Sequence, residues 1–142
     1  MRRALSRSQR YKAAGATTVD PSGAKDTAEF INIAKDDAIS YPEVIHRSYP
    51  STVNGHMEAV VTPFVILSSE INSTILQIFN DKLGLPEGTL GNLHKLKEPS
   101  FSEARCIKSP PSPANPKTAI GAHTDFGSLV SIIIFLIWPL FQ

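Results

Sequence analysis

Six apolar residues, Val60, Phe64, Leu67, Ile71, Ile75 and Ile78, recur at steps of four, three, four, four and three. At 3.6 residues per turn those steps place all six on one side of a helix. The spacing predicts a helix over about residues 57–83, the clearest element in the chain. An apolar stripe of that length has to be covered, so it is expected to be mostly core. Pro63 lies inside it. Either the helix kinks there, or its firm part starts with Thr62 as N-cap and Pro63 in the first helical position. Gly84 is placed to cap the far end, and Pro86 stops continuation.

Around this helix the punctuation is denser. Residues 1–25 read as loop, broken by Gly15, Pro21 and Gly23. Residues 26–40 mix acids and apolar side chains without a clean period. Pro42, Pro50 and Asn54-Gly55 mark residues 41–56 as an irregular connection. A short helix is expected over 86–96 with Leu90 and Leu93 inward, and a strand over 105–108. Residues 109–117 form a proline-rich loop, and there is no internal repeat. The expected division is 1–56 irregular, 57–96 helical, 97–130 the start of a sheet, and 131–142 an aberrant apolar tail.

Apolar residues are 42% of the 142 and charged ones 19%, a globular composition for one core. The net charge of +1 gives no broad footprint for nucleic acid. A lone cysteine, Cys106, excludes an intrachain disulfide and a thiolate cluster, and fits a reducing, cytoplasmic setting. Arg2, Arg3, Arg7, Arg10 and Lys12 make the start basic. A solvated start is preferred to a mitochondrial transit peptide, and no apolar h-region follows. Near the other end, Leu129 to Phe141 is almost wholly apolar but shorter than the ~20 residues that span a bilayer. A buried strand over 131–137 is preferred to a membrane anchor.

Chemistry concentrates in Gly121-Ala122-His123-Thr124-Asp125-Phe126-Gly127-Ser128-Leu129. On a strand, positions i and i+2 face the same way. His123 and Asp125 would then present an imidazole nitrogen and a carboxylate oxygen side by side. That is two thirds of the 2-His-1-carboxylate triad that holds non-haem Fe(II). One His and one Asp do not by themselves separate Fe(II) from Mn or Zn. Gly121 permits close backbone approach before the donors, and Gly127 permits a turn after them. The other histidines, His46, His56 and His94, read as surface or helix-end residues. Cys106 reads as an inert, half-buried thiol, and Lys95-Leu96-Lys97 as a solvated face.

The Gly-Ala-His-Thr-Asp-Phe-Gly-Ser-Leu string resembles the iron-ligand segment of Fe(II)- and 2-oxoglutarate-dependent dioxygenases. The nearest branch is the isopenicillin-N-synthase-like one, with many fungal members. Further segments agree in order. Gln9-Arg10-Tyr11-Lys12-Ala13-Ala14-Gly15 is similar to an R-G-Y-x-x-x-G stretch, without its first Gly. Asp26 to Ile33 resembles D-T-x-E-x-x-x-I, and Leu83-Gly84-Leu85-Pro86 the end of the family's long helix. Arg105-Cys106-Ile107-Lys108-Ser109-Pro110-Pro111 resembles R-x-x-x-Y-P-P. The resemblance covers about residues 9–130. It implies an α+β fragment of a double-stranded β-helix (jelly-roll) with its long supporting helix. It also implies metal ligation by His123 and Asp125, with Fe(II) as cofactor and 2-oxoglutarate as cosubstrate. The implied reaction is oxidation of a small organic substrate with O2, yielding succinate and CO2, plausibly in fungal secondary metabolism.

The family pattern also requires a second His and an Arg in an R-x-S motif on later strands. Residues 126–142 contain neither. Ser109 stands where many members have a Tyr for 2-oxoglutarate, and Ile107 where many have Asn. The chain is therefore expected to be a truncated member, inactive as given, with no assigned catalytic residue and iron binding weak or lost. The second sheet, which should cover the helix, is expected to be missing. Self-association through exposed strand edges is expected, and membrane binding is not. Val130-Ser131 is encodable by GTAAGT, which resembles a splice donor, so residues from about 130 are expected to be translated intron. Transcript reads that run unspliced through these codons as the main message would dismiss that idea. Alternatives are a non-catalytic shortened paralogue acting through protein interaction, a tail-anchored protein and, last, a zinc hydrolase.

Overall fold

A computed structural model describes residues 11–18 and 21–109. The fold is mixed α+β: a small antiparallel sheet and one long helix. The strands β1 (Tyr11–Lys12), β2 (Glu29–Ala34) and β3 (Glu103–Lys108) lie in the order β1-β2-β3. Pairing runs from Glu29 opposite Lys108 to Ala34 opposite Glu103. Residues 26–40 thus resolve into a strand followed at once by the short helix α1 (Lys35–Ser40). Phe30, Ile31 and Ile33 are aromatic or β-branched, the residues that suit a pleated surface. Alternation sends Ile33 and its partner Ala104 to the core face, where Ile33 is 2% exposed. On the other face the Arg105 guanidinium stacks 4.3 Å from the Phe30 ring centre and donates to Asn32 Oδ1.

The long helix starts earlier than the spacing predicts. Residues 51–56, read as irregular from Asn54-Gly55, form α2 (Ser51–His56). A π-turn, Met57–Val61, joins it to α3 (Thr62–Lys82). Pro63 supplies the physical reason for the π-turn. Proline has no N–H to give to the carbonyl four residues back, and its ring crowds that carbonyl. Here the Thr62 N–H reaches back five residues to the Met57 carbonyl, which is the widened bonding of a π-turn. The helix therefore passes through Pro63 instead of starting there. The Thr62 hydroxyl does not cap it; it donates to the Ala38 carbonyl at 2.6 Å.

The C-terminus follows its sequence signal. Gly84 adopts φ +63°; its N–H bonds the Asp81 carbonyl, and the Leu85 N–H bonds that of Asn80. Those two bonds define a Schellman cap, which needs a left-handed residue at Gly84. The expected helix over 86–96 is instead a single 3-10 turn, Gly91–Leu93, and Leu93 is exposed, not inward. Gly88 at φ +75° interrupts any regular helix there.

One small core ties these parts together. Ile33, Ala38, Tyr49, Met57 and Val65 are buried in it, and Val53, Val61, Phe64 and Ala104 pack around it. Of the six stripe residues only Phe64 packs against this core. Val60, Leu67, Ile71 and Ile78 are 55%, 52%, 41% and 53% exposed. The buried positions of α3 are Val65, Leu76 and Asn80. At about 100° per residue, they lie more than a quarter-turn round the axis from the stripe. Tertiary packing, acting through α1 and β2, chose a different face from the one the apolar period marks.

Candidate functional site

The predicted metal donors His123 and Asp125 lie outside the described residues, as do the proline-rich loop beyond Ser109 and the apolar tail. Among the described residues no three His, Cys, Asp or Glu side chains converge as a metal site. The three remaining histidines behave as the sequence suggested. His56 Nδ1 sits 2.8 Å from the Thr52 carbonyl at the end of α2, and His94 Nδ1 3.0 Å from the Leu90 carbonyl. His46 Nε2 lies 2.8 Å from Asp36 Oδ2. Cys106 is exposed, not half-buried, because it lies on the outer part of β3.

The densest polar chemistry lies where β2 runs into α1. Lys35, Asp36 and Asp37 are all buried at 6% exposure or less. Their burial follows from position: a strand that ends in the core delivers the next three residues into it. Each has three partners. The Lys35 ammonium donates to the carbonyls of Leu96 and Glu98 at 2.6 and 2.8 Å and pairs with Asp36 Oδ1 at 2.7 Å. Asp36 Oδ2 also accepts from the Ser100 N–H at 3.1 Å. Burial pushes the Asp36 carboxyl up, but Lys35, His46 and the Ser100 N–H outweigh it and hold the acid below its ordinary value.

Asp37 organises the loop after α1. Its Oδ1 accepts from the N–H groups of Ile45 and His46 at 2.9 and 2.7 Å, and its Oδ2 from the Tyr49 hydroxyl at 2.8 Å. The Tyr49 oxygen accepts in turn from the Ala34 N–H and from Arg47 Nε, and Arg47 pairs with Glu103 on β3. Burial pushes the Tyr49 phenol up, against the lowering effect of Arg47 and the Ala34 N–H. Asp37 thus accepts three hydrogen bonds, two on Oδ1 and one on Oδ2. Among the described residues no buried side-chain nitrogen or oxygen lacks a partner. The arrangement clamps β2, α1 and β3 together.

A second web closes the N-terminal loop. Asp26 pairs with Lys12, accepts from the Thr17 hydroxyl, and takes the Gly15 N–H at 2.8 Å. Lys12 first, then Thr17, draws its acid down to about 2. Two concavities flank the webs. One of about 170 Å³ lies over Tyr41, Val44, Arg47, Tyr49 and Met57. The other, about 320 Å³ and wide open, lies on the sheet face between Tyr11, Ile31, Val53, Cys106 and Ile107. The first also takes in Asp37, Glu43, Ser48 and Asn54, of which Asp37 is already bonded to Tyr49 and the loop N–H groups; the second is mainly apolar.

Sequence reasoning missed the Lys35-Asp36-Asp37 cluster. A signal was there: three consecutive charges between the apolar pairs Ile33-Ala34 and Ala38-Ile39. Charges so enclosed are drawn into the core with their neighbours and must be paired.

Comparison of the chain with protein-family models, with curated proteins and with solved structures found no match.

Proposed function

We propose that this chain is part of a non-haem Fe(II)- and 2-oxoglutarate-dependent oxygenase, inactive by itself as given. The observation that carries this reading is His123-Thr124-Asp125 between Gly121 and Gly127, in sequence order with the four upstream segments it accompanies. The donor chemistry fits the group: a neutral imidazole and a carboxylate suit Fe(II) better than an all-oxygen or thiolate set would. The bound iron and 2-oxoglutarate would supply oxidation of a small organic molecule with O2. This chain contributes two ligands to that reaction and supplies neither the second His nor the Arg. An α+β arrangement with a long helix beside an antiparallel sheet is compatible with the reading.

The test is anaerobic purification followed by titration with Fe(II) and 2-oxoglutarate. Expected are weak iron uptake, its loss in His123→Ala and Asp125→Ala, and no substrate-linked succinate. Iron uptake unchanged when both donors are removed refutes the kinship. Succinate formation abolished by His123→Ala refutes the inactivity.

A second reading is a shortened, non-catalytic paralogue that acts through protein interaction. It draws on the exposed stripe of α3 and on β3, which among the described residues is paired on one side only. A cooperative unfolding transition together with a defined hetero-oligomer would favour it.

A further inference from the structure

The α3 helix faces the wrong way for its composition. It turns Val65, Leu76 and Asn80 into the protein, with Ser69 and Asn72 half-buried beside them. It leaves Val60, Leu67, Ile71 and Ile78 exposed, with Phe64 and Ile75 half-buried along the same line. That line runs about 27 Å at 1.5 Å per residue. Between Val60 and Ile78 only Glu70 is charged. A helix face meant for water carries charged and polar residues instead, and a continuous apolar band of this length marks a surface that something covers.

We propose that the outer stripe of α3 is the docking surface for this chain's own apolar segment, Leu129–Phe141. The segment matches the stripe in chemistry: Ser131 is its one polar residue, and it carries no charge. Nineteen residues, 110–128, separate it from the last described residue. Fully extended they reach about 60–70 Å. The whole helix Ser51–Lys82, about 48 Å long, is therefore within range. A tethered segment meets its surface at an effective concentration of order mM, far above that of a second copy in dilute solution.

The rival occupants fit less well. Two copies of α3 laid together bring no complementary charges to set a register, since the stripe residues carry no charge. The helix from Ser51 to Lys82 is long and apolar enough to cross a bilayer. It would have to withdraw Met57 and Val65 from the core to do so. The proposal does not depend on iron, and its test is run in chelator.

Trp138 is the only tryptophan and lies in the segment, so the full chain carries its own reporter. Trp138 emission is expected to be blue-shifted relative to free tryptophan and unchanged on dilution. In Leu67→Glu/Ile71→Glu it should shift red to the position of a solvated indole, whereas Gln77→Glu, an exposed position off the stripe, should leave it in place. Should the double variant lose helical circular dichroism, Ile134→Glu alters the segment and leaves α3 intact, and the same red shift is expected. A solvated emission in the unmodified chain overturns the proposal. So does a blue shift that survives both sets of substitutions. A blue shift lost on dilution assigns the surface to a second copy, and one that appears only with phosphatidylcholine vesicles assigns it to a membrane; either result overturns the proposal.

Discussion

The β2–α1 corner and the outer stripe of α3 invert the usual placement of side chains, in opposite directions. At the corner, three charged residues are inside, and each is held by several short, directional bonds. On the stripe, four large apolar residues are outside, with nothing described against them. Buried charges are tolerable only when paired and hydrogen-bonded, so the corner is complete in itself. Apolar burial is non-directional and scales with area, so a stripe can be satisfied by any surface of the right shape. The corner therefore specifies the geometry of this unit, and the stripe specifies that the unit belongs against something else.

Substitutions can break or sharpen that contrast. Asp37→Ala should be the most damaging, because it leaves the buried Tyr49 hydroxyl without its acceptor and releases the N–H groups of Ile45 and His46 that tie the loop down. A loss of about 3–5 kcal/mol is expected from chemical denaturation, with Asp37→Asn milder since an amide oxygen still accepts. If Asp37→Ala unfolds no more easily than a surface variant, the corner is not the organising element. Ile71→Ala comes next. A covered stripe should lose about 1–2 kcal/mol, whereas a bare surface position changes stability by under about 0.5 kcal/mol. Gly84→Ala should cost about 1 kcal/mol from its positive φ alone, since an added Cβ meets nothing within 4 Å. A larger loss would show packing at the cap that the backbone does not reveal.

The smallest effect is visible only in acid. Lys12, Thr17 and the Gly15 N–H hold Asp26 at about 2, below the ordinary carboxylate value of 3.8. The folded chain thus binds that proton more weakly than the unfolded chain does. The contribution of Asp26 is complete above about pH 4 and is lost as the pH falls toward 2. Asp26→Asn should flatten stability against pH across that window and leave the slope near neutrality unchanged. An unaltered acid limb would mean that the N-terminal loop is not tied through this carboxylate.

Legibility from sequence followed the range of the forces involved. The helix, its Gly84 cap and a strand reaching Lys108 are local events, governed by period, φ and β-branching, and all three were readable. The start at Ser51 was hidden because Asn54-Gly55 signals a turn, and the π-turn that absorbs Pro63 leaves no composition mark. The 3-10 turn at 91–93 replaced an expected helix because Gly88 breaks the chain there. Cys106 is exposed because the outer end of β3 lies beyond the core, which its strand pattern does not reveal. The candidate donors His123 and Asp125 lie outside the described residues. The corner cluster was not legible, because charged triplets usually stay in water unless partners distant in sequence arrive to pair them.

From sequence alone came the period of the long helix, its C-terminal stop and the apolar run near residue 130. Each depends on residues within a few positions of one another. Tertiary structure alone decided which face of α3 is buried, and that Lys35, Asp36 and Asp37 lie inside. Lys35 and Asp36 are held by Leu96, Glu98 and Ser100, some sixty residues away, and Val65 packs against Ile33 and Ala38; a period of 3.6 carries no information about where such partners will stand.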